Sequence, residues 1–395
     1  MVNVKCWALS QMTAALALAI VMTTMFLLTL PTVKIPLSMK LVTVAMLILH
    51  FVAGFSNYAW NILPQPDAAA YQAQAAALAN NLEPALFASG KEAWPEILSW
   101  LYIVGGVHIS LGLLWNAILA TAVLPIVYLT SELMRTGSGR MAATLLIIMP
   151  GWWLWSSTLI REPTVWFLIA LVGYCLARMF RGARRMIIPI TGLCILLAWV
   201  RGPVSVLLIA GATSAILVSK GRISARIMSI SFVLLGSLYF AGNQIASIKS
   251  LDPSSFASTR AYLAIAGSGF VYQSPALTLL RVLSGPWPWE IPSLGYLVIP
   301  DVLYVWASIG ICIKGARRLG QRYLWLAIPA LSIAAGIALT ASNYGLLVRL
   351  RTMFLILTVP IVAAGLEAVK HGGVTAAPEV AASHQLGTSS NSGRV

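Results

Sequence analysis

Apolar runs of about membrane length recur along this chain, near residues 8–30, 41–56, 109–132, 141–159, 163–180, 186–200, 203–219, 226–243, 294–313, 323–341 and 350–369. A run of this kind crosses the hydrocarbon layer as a helix of about 20 residues, because a helix satisfies its backbone polar groups within one segment. The pattern predicts an all-α polytopic membrane protein of about eleven transmembrane helices. Composition agrees: 59% of the 395 residues are hydrophobic and 9% are charged, too few charges to coat a soluble core of this length. Residues 1–370 read as one integral domain. The tail 371–395, rich in Ala, Ser, Gly and Thr, lacks apolar periodicity and is expected to be disordered. The first run is too long for a cleaved signal peptide, and no small-residue cleavage site follows it.

The net charge of +15 does not point to nucleic acid, since no long basic face or aromatic-basic module is present. The surplus sits in short connections instead: Lys34 and Lys40; Arg135 and Arg140; Arg178, Arg181, Arg184 and Arg185; Lys220, Arg222 and Arg226; Lys314, Arg317, Arg318 and Arg322; and Lys370. These fall on alternate sides of the spans and so mark the cytoplasm. The opposite side receives two long loops, 57–108 and 244–293, and short connections at 160–162, 201–202 and 342–349. By this reckoning the N-terminus is extracytoplasmic. The four cysteines and four histidines are scattered, which argues for single buried thiols and against a disulfide framework or a metal site.

The topology gathers chemistry on the outer face. Seven of the eleven acidic residues lie there: Asp67, Glu83, Glu92, Glu96, Glu162, Asp252 and Glu290. Arg161, Arg201, Arg260, Arg281, Arg349 and Arg351 lie there too, several at the edge of apolar segments, where an unpaired charge is costly. Asp67 follows Pro64 and Pro66 and opens a helix expected over 68–79. It either caps that helix or serves as a general base toward a hydroxyl. Arg161 and Glu162 lie between two apolar runs, before Pro163. They form either a plain turn into the next helix or the wall of a site, with Arg161 as partner of Glu162.

Arg201, in Trp199-Val-Arg-Gly-Pro203, sits at a tight turn between two runs. Arg349 and Arg351 share a face if extended but diverge by about 200° if helical. Guanidinium groups at a membrane surface suit bidentate contact with a phosphate; the competing reading is snorkelling to lipid headgroups. Trp287 and Trp289, followed by Glu290, fit either an interfacial aromatic belt or a platform for a sugar or isoprenoid.

Several of these segments together resemble a known family. Pro66-Asp67 with Tyr71 four residues later opens an alanine-rich helix in the first large outer loop. Gly112-Leu-Leu-Trp-Asn116, Tyr128 through Leu133, Gly139-Arg-Met-Ala142, Met149-Pro150 and WSSTLIREP (155–163) follow it. Then come Arg260 to Gly269, Gly285-Pro-Trp-Pro-Trp289, Asn343-Tyr-Gly345 and Arg349-Leu-Arg351. The set resembles GT-C-type glycosyltransferases of the bacterial cell-surface polysaccharide branch, over roughly residues 60–365. These are integral membrane enzymes that take sugars from polyprenyl-phosphate carriers.

The resemblance implies that Asp67 occupies the first-loop acidic position, as base or metal ligand, and Glu162 the acidic position of the second outer loop. A single acid stands where metal-dependent members carry two, so no cofactor or metal is expected. It further implies a bacterial plasma-membrane enzyme, its site facing outward, moving one sugar to a glycan, lipid or protein acceptor. Asp67 and Glu162 would be catalytic. Tyr71, Arg161, Arg201, Arg260, Trp287, Trp289, Glu290, Arg349 and Arg351 would bind substrate. A polymerase or ligase using a diphosphate-linked glycan, a lipid-linked-sugar transporter or flippase, and an inactive scaffold remain as alternatives.

Overall fold

A computed structural model describes residues 2–62, 66–81, 89–218, 275–285, 299–340 and 344–370. Among the described residues the chain is helices and short connections with no strand. Six helical stretches are long and apolar enough to cross a membrane: Met12–Thr32, Leu37–Trp60, Ile109–Met134, Glu162–Phe180, Arg184–Ile216 and Leu347–Lys370. Two shorter apolar helical stretches accompany them, Val302–Ile311 and Leu324–Ala338. The protein is an all-α, membrane-embedded one. The expected span at 226–243, the tail 371–395 and most of the outer loop 244–293 lie outside the described residues.

The helices run in chain order as α1 (Val2–Thr29), α2 (Leu37–Trp60), α3 (Pro66–Asn81), α4 (Ala93–Gly105) and α5 (Ile109–Met134). They continue as α6 (Gly139–Ile147), α7 (Pro150–Ser156), α8 (Glu162–Phe180) and α9 (Ile187–Val218). The last four are α10 (Pro275–Ser284), α11 (Ile299–Leu319), α12 (Leu324–Thr340) and α13 (Tyr344–Lys370). Helices α2, α5, α8, α9, α12 and α13 build the main core. Trp152, Trp166, Leu326, Met353 and Leu357 are almost wholly enclosed within it. A second cluster joins α3 and α4 to the start of α5 through Tyr71, Ala75, Trp94, Leu98, Tyr102 and Leu111.

Two expectations change on contact with the structure. The run 141–159 is not one helix. It breaks into α6 and α7, because Met149 is extended (φ −75°, ψ 111°) ahead of Pro150, where the proline ring disfavours helical geometry. Asp67 is not an N-cap, since α3 already begins at Pro66 and holds Asp67 in its first turn.

At 201–202 the expected reversal is present inside α9. Arg201 has non-helical dihedrals (φ −155°, ψ 77°), and the Ser205 hydroxyl donates to the Cys194 carbonyl at 2.7 Å. In a straight helix those residues would lie about 16 Å apart, so the two arms fold back on each other. The second arm crosses α12 closely: a Cβ on Gly211 would fall 2.5 Å from the Pro329 Cα. Close backbone approach at small residues is how membrane helices gain contact without a hydrophobic drive between them.

The bundle has two chemically different ends. At one, Arg181 donates from Nε to the Leu133 carbonyl (2.8 Å) and Arg322 reaches the Met134 carbonyl (3.4 Å). There Glu132 accepts from the amides of Gly137 and Gly139, at 2.9 and 2.7 Å. This end holds the C-termini of α5 and α8, and Arg181 and Arg322 gather on it. Helix α8 rises about 28 Å over its 19 residues to the other end, which carries Glu162.

Candidate functional site

Glu162 is the first residue of α8, with Pro163 behind it in the first turn. Proline there sacrifices no helical hydrogen bond, and the helix N-terminus favours an anion. The turn before it is pinned from two sides. Asn57 of α2 donates to the Ser157 carbonyl at 3.0 Å. Asn116 of α5 donates to the carbonyls of Thr158 and Ile160, at 2.8 and 3.0 Å. Neither asparagine was singled out as a site residue from sequence, although amides inside apolar spans of this length were the available signal. Both serve backbone carbonyls of the turn, among them that of Thr158, which also accepts from the Ile160 amide at 2.9 Å.

The Glu162 carboxylate is 0% exposed and lies between two arginines. Arg349 grips it with two bonds, Nε to Oε1 at 2.6 Å and Nη2 to Oε2 at 2.9 Å. Arg201 adds Nη1 to Oε1 at 2.8 Å. The fork matches the planar, bidentate geometry in which guanidinium–carboxylate bonds are strongest. Both oxygens are thus engaged by guanidinium donors.

Arg349 has one more nitrogen to offer. Its Nη1 donates to Asp67 Oδ2 at 2.8 Å, across 282 residues of chain. The two ends of that guanidinium differ: the Asp67 side chain is 56% exposed, whereas that of Glu162 is fully enclosed. Tyr71, one turn after Asp67 on α3, is buried beside the cluster. Burial raises its phenol pKa, Arg161 and Arg349 oppose the rise, and Asp67 and Glu162 add to it. Its hydroxyl therefore stays neutral.

Arg161 is not the partner of Glu162 that its position suggested. Its Nη1 donates to the Gly90 carbonyl at 2.8 Å and to the Val200 carbonyl at 3.1 Å. The Gly90 amide in turn donates to the Trp199 carbonyl at 2.9 Å. Gly90 holds φ at +74°, a conformation open to glycine at little cost. Arg161 therefore ties the loop before α4 to the bend of α9, beside Arg201.

Arg349 and Arg351 lie on a helix, and they diverge as helical geometry requires. Arg351 is fully buried and does not reach the cluster. It donates from Nε to the Val282 carbonyl (3.0 Å) and from Nη2 to the carbonyls of Arg281 (3.2 Å) and Gly285. A cation there meets the negative end of α10 and satisfies the terminal carbonyls. Arg351→Met is therefore expected to lower stability by about 1–3 kcal/mol, the cost of orphaned buried acceptors. Thermal unfolding in detergent checks this, and an unchanged midpoint would contradict the assignment.

Of the expected site residues, the structure brings together Asp67, Tyr71, Arg161, Glu162, Arg201 and Arg349, and it leaves Arg351 elsewhere. Arg260, Trp287, Trp289 and Glu290 lie outside the described residues. Among the described residues, no group of three or more His, Cys, Asp or Glu is placed to hold a metal ion. Comparison with family models, curated proteins and solved structures finds no match.

Proposed function

We propose that this chain is a GT-C-like glycosyltransferase of a bacterial plasma membrane. It moves a sugar from a polyprenyl-phosphate carrier to a hydroxyl on the extracytoplasmic side, on a glycan, lipid or protein. The observation that carries the reading is the Asp67–Arg349–Glu162–Arg201 cluster, set at the end of the bundle opposite Arg181 and Arg322. The positive-inside rule makes that end the outer one, within an eleven-helix topology.

In this reading Asp67 takes the proton from the acceptor hydroxyl as its oxygen bonds to the anomeric carbon. The bond from that carbon to the phosphate oxygen breaks, with inversion. Arg201 and Arg349 meet the charge that grows on the departing phosphate, which is where fixed cations lower a barrier most. Glu162 keeps both guanidinium groups aimed, and Tyr71 lines the approach. A transporter would need its charged site near the bilayer midplane, whereas these charges stand at the starts of α3, α8 and α13 and at the bend of α9.

The test is direct. Purified protein is incubated with a radiolabelled sugar on a polyprenyl monophosphate and, in parallel, with a diphosphate-linked glycan. Consumption of the monophosphate donor is expected. Consumption of the diphosphate donor alone would move the protein to a polymerase or ligase, and flux across vesicles with neither consumed would make it a transporter.

A further inference from the structure

Asp67, the base of the reading above, has its Oδ2 occupied by the Arg349 guanidinium at 2.8 Å, which keeps that oxygen from an acceptor hydroxyl. Building on the reading above, we propose that the Asp67–Arg349 contact is an occupied anion site. The carboxylate sits where the phosphate of the lipid donor is received, and the arriving phosphate exchanges with it, which frees Asp67 to act as base.

Three features of the cluster favour exchange at this point rather than elsewhere. The first is asymmetry. Glu162 accepts three guanidinium hydrogen bonds in full enclosure, and Asp67 is held by Arg349 through one while half-exposed. The weak side of Arg349 is the outer side. The second is charge. Arg161, Arg201 and Arg349 stand about two carboxylates, Asp67 and Glu162, an excess of one positive charge. With Asp67 turned away the excess becomes two, enough for the single charge of the donor's phosphodiester and for the second charge that develops on the departing phosphate. The third is supply of donors. Releasing Asp67 frees Nη1 of Arg349, and Arg201 stands beside it with only Nη1 committed to Glu162. Two guanidinium edges then converge on one phosphate.

The exchange moves no covalent bond. One anion leaves a guanidinium and another takes it, and the released carboxylate stays within reach of the acceptor because α3 remains packed on α4 through Tyr71, Ala75, Trp94 and Leu98. The donor thereby switches on its own base. In the unloaded protein Arg349 occupies Oδ2 of Asp67, so that oxygen is withheld from water and from a stray hydroxyl.

The experiment measures binding, apart from transfer, using a tritiated polyprenyl monophosphate in detergent micelles, with uncharged polyprenol and inorganic phosphate in parallel. Asp67→Asn removes the competing charge and keeps the size of the side chain. It is expected to bind the lipid phosphate about fivefold more tightly than the unmodified protein, which is the worth of a half-exposed ion pair of about 1 kcal/mol. Polyprenol binding is expected not to change. A gain shared by inorganic phosphate supports exchange at the headgroup alone, and a gain confined to the lipid form supports a headgroup seated by its chain. Equal or weaker binding by the variant, or an equal gain for polyprenol, overturns the exchange while leaving the enzyme reading in place. If the unmodified protein and the variant both fail to bind any polyprenyl phosphate, the exchange and the reading beneath it fall together.

Discussion

Glu162→Gln is expected to be the most destabilising single change in the cluster. Glu162 is enclosed and takes three hydrogen bonds from Arg349 and Arg201 at 2.6–2.9 Å. Glutamine keeps the volume but presents one acceptor and an amide that points donor at donor toward one arginine nitrogen. Arg201 and Arg349 then face each other with only half-exposed Asp67 to answer them. Removing one partner of a buried ion pair typically costs about 3–5 kcal/mol, because the remaining charge is left uncompensated. At a few degrees per kcal/mol, the unfolding midpoint in detergent should fall by roughly ten degrees at a fixed scan rate.

The control is charge removal on both sides. Exchanging Glu162, Arg201 and Arg349 together for apolar residues of similar volume should recover much of the stability, since the desolvation of the ions disappears with them, and should abolish transfer. If Glu162→Gln melts with the unmodified protein, the carboxylate does not organise the two arginines.

Much of the architecture was open to reading from hydropathy, because lipid leaves a chain few ways to satisfy its backbone. The start of α8, the helix after Asp67 and the bend at Arg201 all follow from local signals: proline at a helix start, an apolar run, a Gly-Pro after a lone arginine. Helix α13 instead begins at Tyr344, inside the connection expected over 342–349. Proline alone was an ambiguous signal. Pro125, Pro329 and Pro360 lie inside continuous helices, while Pro150 breaks one.

That the connections holding Arg181 and Arg322 share one end was also legible, since both arginines gather with the end of α5. Partner choice was not. Glu162 bonds to a residue 187 positions away and passes over its neighbour Arg161. Nothing local distinguishes Arg349, which faces the cluster, from Arg351, which caps α10. Helical geometry required the two to diverge, but which one turned toward α8 depended on the packing of α13. Asn57 and Asn116 were passed over for the same reason, as the carbonyls they serve belong to another segment.

Asp67→Asn should separate chemistry from structure in a way that Glu162→Gln cannot. The Asp67 side chain is 56% exposed and contributes one ion pair to the cluster. After discounting for solvent, its loss should change stability by less than about 1 kcal/mol, so the melting midpoint should stay close to that of the unmodified protein. Transfer should behave otherwise. A positioned general base is worth about 10²–10⁴ in rate, and asparagine cannot take the proton, so kcat should fall by that factor with the fold intact. The split between constants is the informative readout. If the lipid phosphate displaces Asp67 from Arg349, the variant should show a lower KM for the donor together with its collapsed kcat, since the competing anion is gone while the cations remain. A base that merely stood near the donor would lose kcat at unchanged KM. Transfer by Asp67→Asn at the unmodified rate would remove Asp67 from the chemistry altogether, leaving its contact with Arg349 as an ion pair and nothing more.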